Sequence, residues 1–215
     1  MRRLILLFGM FCALAAAFPP ARPGMAGDTG PYLAGRIIVA SEKLQDPNFI
    51  YSVVYMVEHD AEGAVGLIIN RRIGEGDLGQ LLKGFGLPTE KNERRVNLHF
   101  GGPVAANSIF VLHSADFAVK GTLKAKDGLN MTGNREILTA ISEGQGPTRM
   151  KFMVGYSGWG PGQLESEIAR GDWLDEPPRD CRRLFSLSYA ASDLVSIMAS
   201  YSSSASTGGM FPMGS

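Results

Sequence analysis

Cysteine is almost absent from this chain. It carries two, Cys12 and Cys181. Cys12 lies in an apolar leader, so loss of that leader leaves Cys181 alone, without a partner for an internal disulfide. Neighbouring Arg179, Arg182 and Arg183 favour the thiolate of Cys181, yet an inert surface thiol explains it better than a redox centre. Histidine is also scarce. His59, His99 and His113 form no His-x-x-x-His pair, and no Cys-x-x-Cys is present, so no closely spaced metal-ligand pattern exists. There is no excess of either charge, with 21 Lys and Arg against 21 Asp and Glu. Residues 1–26 hold Arg2, Arg3 and Arg22 and no acid, so the remainder has 18 cations against 21 anions, a net of −3. Such a domain lacks the general attraction that drives nucleic-acid binding. Lys91–Arg95 is the best candidate for a local basic patch and reads more simply as a solvated loop. The apolar stretch Leu4–Ala17 falls short of the roughly 20 residues a stable membrane-spanning helix requires.

What is present is an ordinary globular composition, 45% apolar and 20% charged over 215 residues. One domain is expected, with roughly 70% of the unfolded surface removed from water on folding. Arg2 and Arg3, the apolar stretch, and Ala15-Ala16-Ala17 have the layout of a secretory signal peptide. The expected division is therefore a leader and linker over 1–26, a single domain over 27–201, and a flexible tail over 202–215. Location is then periplasmic or secreted. The alternative is a cytoplasmic protein that starts at Met25.

Within the domain, strands are expected at Arg36–Ala40, Ser52–Glu58, Ala64–Asn70, Val96–Phe100, Ile109–His113 and Lys151–Tyr156. Ser52–Glu58 is apolar on both faces, which suits a strand covered on both sides. Asp46-Pro47-Asn48-Phe49 reads as a turn, and His59–Gly63 as the bend of a hairpin. Asp77 suits the N-cap of a helix bearing Leu78, Leu81, Leu82 and Phe85. Ile137, Leu138 and Ile141 mark a second helix stopped by Gly144. A third runs from Pro161 to Gly171 with Leu164 and Ile168 inward and Glu165 and Glu167 near its positive end. Asp193–Tyr201 is a possible last helix. Strands and helices do not alternate strictly, so the class is α+β.

Several blocks of these residues, taken in order, resemble one family. Leu44–Phe49, Ser52–Tyr55, Glu58-His59, Gly66–Arg71, Gly101–Val104, Val111–His113, Gly155–Glu165 and Trp173-Leu174 are similar to the YqgE/AlgH pattern from about Gly35 to Phe185. The resemblance implies bent, bifurcated β-sheets forming a pseudo-barrel flanked by helices. It implies little chemistry. The family's name comes from a proposed role in regulating alginate synthesis, and members are described as transcriptional regulators. The leader and the segment after Phe185 depart from the pattern.

Three constellations could carry chemistry. His59 and His113, with Glu58 nearby, could hold a metal if the fold joins them, although strand-capping histidines bonded to backbone account for them more simply. His99-Phe100-Gly101-Gly102 resembles the oxyanion loop of lipases, but Gly155-Tyr156-Ser157-Gly158-Trp159 places Trp where a nucleophile elbow needs Gly, and every histidine precedes Ser157. The glycine-rich Ser157–Gln163 could leave amide donors free at a helix start for a phosphate or carboxylate. The simpler reading is that its glycines let Trp159 pack while the chain reverses. Asn70 either caps a turn or lines a cleft. The candidate ligand-binding set is thus Asn70, Gly101, Gly102, Gly158, Trp159 and Gly160. The sequence reads as a non-enzymatic binding or regulatory protein without a cofactor, acting through an unidentified protein or small-ligand partner. The alternatives are a DNA-associated transcriptional regulator and a cryptic hydrolase or metal-dependent enzyme.

Overall fold

Nearly every β-branched run of the chain finds a place in one bent sheet. The computed structural model describes residues 32–87, 94–125 and 128–176. The leader, most of Lys91–Arg95, Cys181, the Asp193–Tyr201 segment and the tail lie outside the described residues. The strands are β1 (Ile37–Ala40), β2 (Val53–Asp60), β3 (Gly63–Ile68), β4 (Arg72–Asp77), β5 (Arg95–Phe100), β6 (Val104–Ser114), β7 (Leu123–Lys124), β8 (Leu129–Thr132), β9 (Met150–Trp159) and β10 (Trp173–Glu176). They lie in the order β10-β1-β2-β3-β9-β6-β8-β7, while β4 pairs with β5 and β5 joins β9. Among the described residues only the β5–β9 pairing is parallel. The class is α+β as the sequence suggests. The sheet curves round a core without closing, since β10 and β7 remain its two ends.

Among the described residues, three helices cover the outside. Asp77 caps α1 (Leu78–Gly84) by accepting the Gln80 N–H, and Asn134 caps α2 (Arg135–Ser142) by accepting the Glu136 N–H. Gly144, just past α2, takes φ +73°, the left-handed stop its position calls for. The third helix, α3 (Gln163–Ala169), begins after Gly162 at φ +71° without a side-chain cap, so Pro161 precedes the helix instead of occupying its first turn.

Strand alternation sorts the apolar side chains into three cores. Val53, Tyr55 and Val57 point inward with Leu67, Phe110, Leu112, Met131 and Met153, filling the space the sheet encloses. Val54 and Met56 point outward and pack with Ile68, Trp159 and Trp173 beneath Leu164 of α3. Leu78 and Leu82 of α1 and Ile137, Leu138 and Ile141 of α2 cover Val111 and Phe152 on the other outer face. Strand β2 is therefore buried on both sides, which is why it reads as a continuous apolar run. Each such side chain removed from water contributes about 1.5–3 kcal/mol before the entropy of ordering it.

The hairpin between β2 and β3 is tighter than the sequence suggests. His59 pairs with Ala64 and Asp60 with Gly63, so the bend is confined to Ala61 and Glu62. Strand β9 likewise extends through Trp159, and β6 begins at Val104. Strands β4, β7, β8 and β10 have no counterpart in the sequence pattern. Arg-Ile-Gly-Glu-Gly-Asp has neither period nor β-propensity, and β4 forms because β5 offers it a partner.

Backbone meets backbone where β5 gives way to β6 against β9. A Cβ on Gly101 would strike the Gly155 carbonyl, and one on Gly102 would strike the Tyr156 backbone and Ser157 Oγ. A Cβ on Gly155 would strike the carbonyls of Gly102 and Val104, and Gly155 itself has φ +68°. Around Gly162 there is open space, so a Cβ there meets only the cost of its positive φ. Gly102→Ala and Gly155→Ala should each lose on the order of 3 kcal/mol, and Gly162→Ala about 1 kcal/mol. Urea denaturation of the three variants checks the ordering, and equal losses would contradict it.

Candidate functional site

The loop between β1 and β2 is short, exposed and heavily tied down. Pro47 sets one backbone angle, and Asp46 organises the residues after it. Its carboxylate accepts the Asn48 N–H at 2.8 Å. Its carbonyl accepts the N–H groups of Phe49 at 2.9 Å and Ile50 at 3.0 Å. The turn ends in Tyr51, which holds φ +57° while leaving its side chain 65% exposed beside exposed Ile50. A non-glycine residue in that region costs on the order of 1 kcal/mol and persists only when its surroundings impose it.

Two residues after β3 impose it. Asn70 Nδ2 donates to the Tyr51 carbonyl at 2.8 Å, and its Oδ1 accepts the Val53 N–H at 3.0 Å. Arg71 donates to the carbonyls of Asn48 at 2.9 Å and Ile50 at 3.0 Å. Its guanidinium lies 5.5 Å from the centroid of the Phe100 ring, a favourable cation–π placement.

Beneath the loop, Phe49 stacks on Trp159 at 6.0 Å and meets Trp173 edge-on at 5.5 Å. Both indole N–H groups donate to the same oxygen of Glu167, each at 2.8 Å. The other oxygen of Glu167 accepts from Gln163 at 2.9 Å. Glu165, earlier on α3, accepts from His59 Nε2 at 3.0 Å, and His59 Nδ1 accepts the Leu33 N–H at 2.9 Å. A backbone N–H can only donate, so the His59 proton resides on Nε2. The two acids expected to complement the helix dipole thus anchor α3 to the sheet.

The candidate residues from the sequence divide around this loop. Asn70 holds it directly, and Trp159 supports Phe49. The Gly101 carbonyl accepts the Ile68 N–H at 2.9 Å, and the Arg71 carbonyl accepts the Phe100 N–H at 2.8 Å, so Gly101 braces the strand end that carries Asn70 and Arg71. Gly102 sits behind it in the close backbone contact. Gly158 lies within β9 opposite Val65, not in a turn. The Gly160 N–H is not free either, because it donates to Gln163 Oε1 at 3.1 Å. Buried Ser157 donates to the Gly101 carbonyl at 3.1 Å. The roles of Arg71, Tyr51 and Glu167 were not legible in the sequence. Arg71 stands inside a recognised block, but nothing in one sequence says that a guanidinium will turn back onto carbonyls of the preceding loop.

The fold engages His59 and His113 separately. His113 Nδ1 donates to the Ser114 carbonyl at 2.9 Å, so its Nε2 is the acceptor and takes the Thr132 hydroxyl at 2.9 Å. Thr122 then donates to Thr132 at 2.8 Å and accepts the Val119 N–H at 3.0 Å. Every proton in this buried chain has a definite direction. Among the described residues no group of three His, Cys, Asp or Glu is placed to hold a metal ion.

His99 is pushed down to about 4, chiefly by burial and then by the charges of Lys151 and Arg72, with backbone hydrogen bonds to Phe152 and Asn97 opposing. Burial lowers His113 as well. The unfolded imidazole ionises near 6.5. Between those values the unfolded chain binds the extra proton, so stability is complete above the window and falls as pH drops through it. Discounted for a half-exposed ring, His99 should account for on the order of 1–2 kcal/mol. Urea unfolding at pH 7 and pH 5 should show a smaller acid loss in His99→Gln than in the unsubstituted protein. An unchanged loss would assign the acid sensitivity elsewhere.

Known proteins place this arrangement. The model of a family described as AlgH-like matches residues 37–191. A UPF0301 protein of Methylococcus capsulatus is 45% identical over 168 residues, covering 78% of this chain and 89% of that protein. A UPF0301 protein of Rhodospirillum rubrum is 38% identical over 146 residues, covering 68% and 76%. The solution structure of the AlgH protein from Pseudomonas aeruginosa matches with TM-score 0.67 and 32% identity, covering 87% of this chain and 100% of that one. A crystal structure of a Corynebacterium diphtheriae protein shares the fold with TM-score 0.51 at 23% identity, covering 78% and 83%. The chain belongs to the AlgH-like family.

Proposed function

We propose that this protein is a non-enzymatic binding protein whose Asp46–Ser52 loop is the surface offered to a protein partner. The observation that carries this reading is Tyr51, a large aromatic side chain held 65% exposed on a left-handed backbone. Folding alone gives no reason to stabilise a strained conformation in order to keep an aromatic ring in water, and such strain gathers where a surface is used. Tyr is also among the residues that dominate binding energy at interfaces. The polar groups beneath it serve to hold the loop: Asn70 and Arg71 bind its carbonyls, and Trp159, Trp173 and Glu167 support Phe49.

The net of −3 outside residues 1–26 argues for a protein partner over a nucleic acid. Among the described residues no helix is long and apolar enough to cross a membrane. The layout of residues 1–26 supports export, so the partner is sought outside the cytoplasm. The native product should then begin between Ala17 and Gly27 and fractionate with exported proteins. A cytoplasmic product starting at Met25 would contradict that location.

A photo-crosslinking residue in place of Tyr51 should capture a defined partner in the native host, whereas the same residue at Lys83 on α1 should not. Tyr51→Gly relieves the positive φ and should keep or raise stability, by about 0–1 kcal/mol, while weakening capture at a neighbouring crosslinking position at least tenfold. Equal capture at Lys83, or undiminished capture by Tyr51→Gly, would overturn the reading.

A further inference from the structure

The chain enters the sheet through a turn. The Gly35 N–H donates to the Met56 carbonyl at 2.8 Å, and the Arg36 carbonyl accepts the Met56 N–H at 2.9 Å, so from Gly35 onward the backbone is bonded to β2. Tyr32 and Leu33 are held differently. Among the described residues they make two hydrogen bonds. One lies inside the turn, from the Arg36 N–H to the Leu33 carbonyl at 2.9 Å. The other runs from the Leu33 N–H to His59 Nδ1 at 2.9 Å. The Tyr32 ring meets the His59 ring edge-on at 5.1 Å. The Leu33 side chain belongs to the outer core that also contains Trp159, Leu164 and Trp173. Undocking this stretch therefore uncovers a buried histidine and opens the core that supports the Asp46–Ser52 loop.

His59 passes that docking on to α3. A neutral imidazole has two tautomers, and the bond made by one nitrogen decides which of the two carries the proton. The Leu33 N–H can only donate, so Nδ1 accepts and the proton is on Nε2. That is the form able to donate to Glu165, 3.0 Å away. Without the Leu33 amide the Nδ1–H form becomes accessible, and its Nε2 lone pair then faces a carboxylate. Two residues beyond Glu165, Glu167 holds both indole N–H groups, each at 2.8 Å, and the indole rings hold Phe49. Helix α3 has seven residues and little stability of its own, so the loss of one anchor is felt at the other.

We propose that Tyr32–Leu33 is a strap that regulates the Asp46–Ser52 loop: docked on His59, it locks α3 and, through α3, the aromatic support of the loop. His59 is the positioning residue that joins the two. Residues 27–31 connect the strap to residues 1–26, so the loop becomes rigid once the chain ahead of the domain is free to lie down on it. The inference rests on the reading of that loop as the partner surface, which it supplies with a control. It adds a condition that the loop's own contacts to Asn70 and Arg71 do not contain.

Magnetic resonance of the full chain tests this without any partner. In the unsubstituted protein the His59 ring nitrogens should give the shifts of the Nε2–H tautomer. Leu33→Pro, which removes the N–H, should populate the other tautomer and lower the order parameters of Asn48–Tyr51 from about 0.85 toward 0.6. Glu165→Ala, a change at a side chain 42% exposed, should lower them as far, and Leu33→Pro should add nothing in that background. Glu165→Gln keeps an acceptor oxygen and should restore the order. An unchanged His59 tautomer in Leu33→Pro, or equal further loosening when Leu33→Pro is added to Glu165→Ala, would overturn the strap. So would an unaltered loop in Glu165→Ala, which decides the matter even if Leu33→Pro fails to fold. Capture by a crosslinking residue in place of Tyr51 should fall at least fivefold in Glu165→Ala. Absence of capture in the otherwise unsubstituted protein, with the order parameters as expected, would count against the partner surface and leave the strap's hold on the loop established.

Discussion

The contact of Gly101 and Gly102 with Gly155–Ser157 is the constraint on which the rest of the molecule depends. Strand β9 pairs with β3 at one end and with β5 and β6 at the other, so a single strand serves both halves of the sheet. That arrangement needs the crossing chain to come within backbone distance, which only glycine permits. Gly101 then hydrogen-bonds Ile68 at the end of β3, and the residues just beyond, Asn70 and Arg71, are delivered to the base of the exposed loop. A packing requirement in the interior and the aim of a surface loop are therefore parts of one structure.

A second chain of contacts reaches the same loop from outside. Glu167 fixes both tryptophans through one carboxylate oxygen, the tryptophans fix Phe49, and Phe49 is the middle residue of the Asp46–Ser52 turn. Charge-assisted bonds to a carboxylate are stronger than those between neutral groups, and two indoles sharing one acceptor leave little freedom in either ring. Helix α3 has only seven residues. It holds its place through Leu164, Glu165 and Glu167, since a helix this short has little stability of its own.

Much of this was legible in the sequence. The apolar runs that became β1, β2, β3 and β9, the Asp77 and Gly144 signals at helix ends, and the Asp46-Pro47 turn all rest on local preferences that a single chain displays. What was not legible depends on partners distant in sequence. Strand β4 has no propensity of its own. The glycines of Gly155–Gly162 look alike in sequence, yet Gly155 is closed in by backbone, Gly158 is extended within a strand, and Gly162 stands in open space at positive φ. Histidines expected to cap strands do bind backbone groups, but His59 also bonds Glu165, whose place on α3 no spacing rule reveals. The left-handed backbone of Tyr51 was invisible because a tyrosine gives no warning of it. Of the six candidate residues, Asn70, Gly101, Gly102 and Trp159 lie in the support of a loop whose exposed residues were not singled out, while Gly158 is extended within β9 and Gly160 donates to Gln163.

Asp46–Ser52 should be rigid although it lies on the surface, because Asn70, Arg71 and Phe49 tie it down. Backbone relaxation of the amides of Asn48, Phe49, Ile50 and Tyr51 tests this most directly. A rigid presentation predicts order parameters near those of the sheet, about 0.85, in the unsubstituted protein and a clear fall in Arg71→Ala. Values below about 0.6 in the unsubstituted protein would show a mobile loop, and the strained, outward-facing Tyr51 would then have no standing as a built recognition surface.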